Sequence, residues 1–430
     1  MRVDLLIVHA AQVATPLAEG DGKSRLQVVS DGAVAMAGEK VVAVGSSAEV
    51  VSSVACHEGT KLIEARGKTV TPGLVDAHTH LVFAGNRVEE FEWRTQGKSY
   101  EQIAAAGGGI RASVRQLRRA TKEELVEAAL PRLDRFLANG VTTVEVKSGY
   151  GLSLMDEIKS LQVIAELADL HPVELVPTLL AAHEVPDEYQ DRRNEYLDLI
   201  VEHIIPRVAE QRLAEFCDVF CERGVFTVAE ARRVLLAGKA HGLKPKIHAE
   251  QLSRAGGAQL AAEVGATSAD HLDYVDEGDI AALRDAGVVP VLLPGAVFFL
   301  GKSRYAPARE MLAAGLPVAL STDFNPGTCM SESLPLMMTL ACTQMHMTPA
   351  EVLVATTLNA ARAIDRASTL GQLRAGAQAD CVIWDVPDYR CIPYHFGVEL
   401  AQTVIKRGRV VYRRPSGTAI GATETDEEHA

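Results

Sequence analysis

No Cys-x-x-Cys pair occurs in this chain, although it holds seven cysteines, Cys56, Cys217, Cys221, Cys329, Cys342, Cys381 and Cys391. The odd, scattered set excludes zinc-knuckle spacing and suggests no disulfide framework, so a reducing, cytoplasmic setting is expected. Long apolar runs are also missing. No window approaches the ~20 residues of a membrane helix. The N-terminus, with Asp4 after Arg2 and Gln12 soon after, lacks a signal-peptide core of useful length, so no leader is expected. An excess of positive charge is absent too, since the formal net charge is -13. Phosphates would be repelled, which argues against nucleic acid and anionic membranes as partners, and an anionic small substrate would need a local cation. What is there is an ordinary globular composition over 430 residues, enough to bury a large α/β domain and a smaller companion. No internal repeat is found.

Residues 1 to about 70 alternate short β-type runs (Leu5 to Val8, Ala33 to Ala37, Val41 to Val44, Lys61 to Glu64) with Gly, Asp and Ser turns, the pattern of a small antiparallel unit. Ser47 to Ser53 is the one helical candidate there. After Pro72, apolar β-type runs alternate with long helical patterns, as in a parallel sheet with crossover helices. Eight such runs occur: Leu74 to His80, Thr142 to Lys147, Glu174 to His183, Phe216 to Cys221, Lys244 to Glu250, Ser268 to Leu272, Val288 to Leu293 and Pro317 to Asp323. Eight is the number that closes a TIM barrel. Thr121 with Glu124, Thr227 with Glu230, and Thr348 with Pro349 and Glu351 mark helix starts, and Gly140, Gly242, Gly265, Gly287 and Gly315 mark helix ends. From Gly371 the β-type character returns, in Asp380 to Trp384, Gln402 to Lys406 and Arg409 to Tyr412, with Gly408 as a turn residue. The expectation is an α/β protein: a (β/α)8 barrel over 71–365, a small β-sandwich from 1–70 and 366–414, and a disordered tail over 415–430.

In such a barrel, chemistry sits at the C-terminal ends of the strands. The first run ends in His78 and His80, one residue apart and therefore on the same face of a strand. Alone, a His-x-His pair is as often a solvated coincidence as a pair of ligands. Tyr150 follows the second run, His183 ends the third, His248 lies on the fifth with Gln251 behind it, His271 is on the sixth, and Asp323 closes the eighth. Histidines and one carboxylate converging on one rim suit zinc or iron rather than calcium or magnesium, which prefer oxygen shells. Other histidines (His9, His57, His171, His203, His241, His346, His395) lie away from these ends and read as surface or capping residues. Gly107, Gly108 and Gly109 follow a helical run over 101–106 and have no P-loop lysine nearby, so they read as a turn or as part of a lid over 89–110 rather than a phosphate cradle. Cys217 and Cys221 read as core cysteines.

The order HxH, His, His, Asp on strands one, five, six and eight resembles the amidohydrolase superfamily over nearly the whole chain, including the Gly371 to Asp385 run with Gly376 and Asp380. Closer still, Phe83 to Arg87, Glu145 to Gly151, Ala181 to His183 and Asp323 to Gly327 are similar to the imidazolonepropionase family of that superfamily. The resemblance implies hydrolysis of the cyclic amide C–N bond of 4-imidazolone-5-propanoate to N-formimidoyl-L-glutamate, in the degradation of histidine to glutamate. It implies His78, His80, His248 and Asp323 as ligands of a metal, Zn2+ or Fe2+/Fe3+, with His271 beside the attacking water. Arg87, otherwise a candidate for a surface salt bridge, would clamp the propionate. Tyr150 and His183 would bind the ring or product, and Asn325, Gly327 and Thr328 would contact it from the last loop.

Two departures matter. Some members carry glutamate three positions after the strand-five histidine, where this chain has Gln251, an amide that orients water but cannot take its proton, so the base role moves to Asp323 with His271 assisting. Glu250 is adjacent but should face elsewhere if the strand pleat persists. Binuclear relatives bridge their metals through a lysine on strand four; Phe216 to Cys221 contains none, and Lys147 on strand two is misplaced for that bridge, so one metal is expected. The partners expected are that substrate and water, with the chain as a homodimer. Rival readings are an aminohydrolase acting on another heterocycle such as a purine, and a catalytically silent assembly or binding paralogue.

Overall fold

A computed structural model describes residues 1–18, 24–98, 102 and 107–415. The N-terminal segment forms β1 (Leu5–Ala18), β2 (Ser24–Ala37), β3 (Lys40–Ser46), a helix over Ser47–Ser53, β4 (Lys61–Glu64) and β5 (Thr69–Pro72). β1 and β2 are much longer than the apolar runs that announced them. Polar residues such as Gln12 and Gln27 do not end a strand, because the ladder joins backbone groups and one face meets solvent.

The eight-strand parallel barrel follows: β6 (Leu74–Thr79), β7 (Val141–Lys147), β8 (Glu174–Ala182), β9 (Phe216–Cys221), β10 (Lys244–Ala249), β11 (Ser268–His271), β12 (Val289–Leu292) and β13 (Ala319–Leu320), each neighbouring the next. It closes where Thr79 bridges Phe324 and the amides of His80 and Asp323 donate to the carbonyls of Phe324 (2.9 Å) and His78 (3.1 Å). The chain ends with β14 (Cys381–Trp384), β15 (Ala401–Lys406) and β16 (Arg409–Arg413). β14 pairs antiparallel with β5, so both ends of the chain share one mixed sheet, ordered β16-β15-β14-β5-β1-β2-β3 with β4 beside β1. Leu5, Ile7, Val34, Val70, Ile383 and Ile405 form a buried cluster of that sheet, separate from the barrel's main core.

The expected helix starts all form capping boxes at Thr121, Thr227 and Thr348, and Ser46 and Asp276 add two more. Gly265 and Gly287 end their helices with φ of 65° and 70°, a left-handed conformation that costs other residues more. Gly109 starts the helix Ile110–Arg119, and its amide donates to Glu90 Oε1 at 3.0 Å, which makes this glycine stretch a helix entry. The expected helix over 101–106 lies almost wholly outside the described residues, and the expected lid does so in part; the tail expected over 415–430 lies outside them from 416 onward. Among the described residues, no helix is long and apolar enough to cross a membrane.

Candidate metal centre

Inward-facing positions of the barrel strands bring the histidines together. His78 lies on β6 with His80 just beyond it, His248 on β10 and His271 at the end of β11, all at most 3 % exposed. Asp323 follows β13 in a left-handed conformation, φ 53°, braced by its amide's bond to His78. His78 Nε2 and His80 Nε2 each lie 3.5 Å from Asp323 Oδ1. The ring centroids of His78 and His248 are 4.5 Å apart, and that of His271 lies 5.5 Å from His78 and 5.3 Å from His248.

Two groups among the described residues could hold an ion, His78 with His80 and Asp323, and His78 with His248 and His271, their ligand atoms within 4.8 Å of one another. The donor atoms fit a metal. Among the described residues, the buried His78 Nε2 and His248 Nε2 have no hydrogen-bond partner, a costly state that a Lewis acid would relieve. Burial pushes the pKa of His80 down to about 4 and those of His183 and His271 well below the usual range, which favours the neutral ring a metal requires. Burial also opposes charge on His78, yet pairing with Asp270 and Asp323 leaves its pKa raised. Asp323 is pushed up by burial but held well below the carboxylate range by His78 and His80, so it stays ionised.

Around this cluster stand the residues expected to meet substrate. His183 stacks on His80 with centroids 5.0 Å apart, its Nδ1 lies 3.0 Å from the Gly149 carbonyl oxygen, and Tyr150 lies 5.5 Å from it. Arg87 is nearly buried and paired with Glu90 at 2.6 Å, and it faces Gly327, where a β-carbon would come within 2.0 Å of its Nη1. Asn325 is committed inside its own loop: its Oδ1 accepts from the amides of Gly327 (2.8 Å) and Thr328 (2.7 Å), and its amide donates to the Asp323 carbonyl and to Thr328 Oγ1. Thr328 Oγ1 in turn donates to Asp323 Oδ2 at 3.2 Å. These two side chains therefore steady Asp323.

Gln251 is half-buried on the loop after β10. Glu250, beside it, turns away to accept from the amides of Ala255, Gly256 and Ala258, and Glu222 holds the same loop through the amides of Leu252 and Ser253.

Sequence reasoning passed over the carboxylates behind the ligands. His78 Nδ1 is hydrogen-bonded to Asp270 Oδ2 at 2.6 Å, the arrangement that fixes which nitrogen of a ring faces a metal, and His248 Nδ1 lies 3.1 Å from Asp218 Oδ2, an ion-pair distance. A usable signal existed, because charged residues at alternate positions of wholly buried strands must be paired.

The chain matches the amidohydrolase family over residues 69–411. It is 51% identical over 411 residues to an imidazolonepropionase of Geobacillus kaustophilus (strain HTA426), covering 95% of this chain and 96% of that one. To an imidazolonepropionase of Symbiobacterium thermophilum it is 49% identical over 413 residues, covering 95% and 97%. Among solved structures it resembles an adenosine deaminase from Xanthomonas campestris with bound zinc, at a TM-score of 0.69 and 20% identity, covering 95% and 93%, a likeness of fold alone.

Proposed function

The chain belongs to the amidohydrolase family, and from that premise we propose that its barrel mouth hydrolyses the cyclic amide C–N bond of 4-imidazolone-5-propanoate to N-formimidoyl-L-glutamate, a step in degrading histidine to glutamate. Relatives of half its residues' identity, matched nearly end to end, carry the name of that activity. The observation that carries the reading is the meeting of unpartnered imidazole nitrogens with an ionised Asp323, whose loop carries the Gly327 that Arg87 faces.

One ion, zinc or iron, would be held by His78, His80, His248 and Asp323. When bound, a divalent ion supplies Lewis acidity, lowering the pKa of water toward neutrality and polarising the ring carbonyl. Asp323, ionised and steadied by Thr328, takes the proton of the attacking water and passes it to the departing ring nitrogen. His271, kept neutral by burial, donates to the oxygen that gains charge as the carbonyl carbon becomes tetrahedral. Gln251 orients water. Arg87 pairs with the propionate, giving an acidic protein the local cation that such a substrate needs. His183 and Tyr150 flank the ring, and Gly327 leaves space for the arginine. We place the protein in the cytoplasm, as a homodimer.

The test combines metal analysis of the purified protein with ultraviolet monitoring of imidazolonepropionate loss. Asp323→Ala and His248→Ala should each lower kcat at least 1000-fold, on the order of a lost catalytic group, while circular dichroism stays native. Near-normal turnover in either metal-loaded variant would remove the reading. Ammonia release from a purine, with imidazolonepropionate untouched, would favour an aminohydrolase instead.

A further inference from the structure

One buried ammonium lies between the two carboxylates that back the ligand histidines. Lys147, on β7, bonds Asp218 Oδ2 of β9 at 2.8 Å and lies 3.6 Å from Asp270 Oδ2 of β11, and all three side chains are fully buried. The same Asp218 oxygen lies 3.1 Å from His248 Nδ1, and the same Asp270 oxygen 2.6 Å from His78 Nδ1. Lys147 also bonds Glu145 Oε1 at 2.8 Å, and Lys246 lies 3.5 Å from that glutamate oxygen. The remaining oxygens are anchored locally, Asp270 Oδ1 by Ser268 Oγ (2.7 Å) and Asp218 Oδ1 by the Val219 amide (2.7 Å). Lys147 thus touches both Asp218 and Asp270, across the β10 ladders that hold β9 and β11 side by side.

We propose that Lys147 is a positioning residue for the metal centre: it clamps Asp218 and Asp270 together so that His248 and His78, through their Nδ1 atoms, present Nε2 at a fixed separation. Without it Asp218 would lose its bonded ammonium and Asp270 would keep Lys246 as its buried cation, so the repulsion between the two anions would grow in a medium where charge is poorly screened. The rings that lean on them would lose their common aim. Stability alone is a weak reason to bury such a cluster, since buried ion pairs are often replaceable by apolar side chains at no loss. Positioning of ligands by groups behind them characteristically changes metal affinity 10–100-fold.

This inference rests on the metal reading above, and its test separates the two. Zinc dissociation constants are measured by chelator competition on the full chain, with urea unfolding of the metal-free protein alongside. Lys147→Met should weaken zinc binding about 10–100-fold. The double variant Glu145→Gln/Lys147→Met removes one charge of each sign, is expected to fold, and should show the same loss, because Asp218 and Asp270 still lack their clamp. A double variant that folds and binds zinc like the wild type overturns the proposal. So does failure of the double variant to fold, which would make Lys147 a folding residue. Wild-type protein that takes up no zinc or iron overturns the metal reading and this proposal with it.

Discussion

At the scale of single residues, Gly327 shows how a missing side chain makes a site. A β-carbon there would stand 2.0 Å from Arg87 Nη1, so the arginine reaches its place only across a glycine. Gly327→Ala should push the guanidinium aside and raise KM for imidazolonepropionate roughly 10-fold, with kcat less affected. Arg87→Ala should go further, about 100-fold, since hydrogen bonds to a charged group are worth ~1.5–3 kcal/mol and 1.4 kcal/mol is tenfold. An ester analogue should hardly respond to either change. Equal losses on acid and ester would show that Arg87 does not read the carboxylate. The place of Arg87, a few residues past the first barrel strand, was legible in the sequence. Its hold by Glu90 was not, because an acidic residue in a first helical turn is ordinarily a response to the helix dipole, and nothing local says that it is buried.

Among elements, the rim loops share one device: a buried glutamate gathering backbone amides. Glu157 accepts from Gly149 (3.2 Å), Gly151 (2.8 Å) and Leu152 (2.8 Å), shaping the loop that carries Tyr150 and touches His183. Glu222 and Glu250 do the same for the loop that carries Gln251, and Glu90 reaches Gly109. Amides in such a tight turn need side-chain acceptors, since no ladder is available to them. Glu157→Gln can keep its Oε1 on Gly151 and Leu152 but sets an amide donor against the Gly149 N–H, and should cost about 1 kcal/mol, the low end for a buried polar group left unsatisfied. It should also raise KM several-fold. Urea unfolding checks the first and steady-state kinetics the second; an unchanged unfolding midpoint would show that the glutamate does not organise the loop. The strands and helix starts themselves were readable because their signals are local, a run of apolar residues or a threonine three before a glutamate. Loop anchors depend on how the turn closes, and the sequence encodes that only through the finished fold.

For the whole molecule, barrel and mixed sheet meet through apolar side chains, Val382, Trp384 and Val404 joining the barrel's main core, and through a charged cluster beside them. Glu174 at the start of β8 meets Lys406 of β15 at 3.1 Å and Arg407 at 3.2 Å, while Lys406 also pairs with Asp380 at 2.8 Å. Burial pushes the Glu174 carboxyl up, but Lys406, Gln378 and Arg407 outweigh it and hold the pKa at about 2, against the usual 4.5. A depressed carboxyl contributes stability that is complete above the unfolded value and is lost as pH falls from 4.5 toward 2. Melting temperature should therefore decline over that window, and Glu174→Gln should melt lower near neutrality yet decline less in acid. Identical acid profiles for the two proteins would exclude this contact as a cause. The sequence by itself determined the eight barrel strands, the return of the C-terminal strands, and the kinds of side chain at the rim, because strand periodicity and residue chemistry are local properties. Only the tertiary structure decided which charges answer one another. Lys147, Asp218 and Asp270 come from separate strands, and their meeting depends on register and on which face of each strand turns inward. A shift of one residue in any of those strands would reverse the face, and no neighbour in sequence records it.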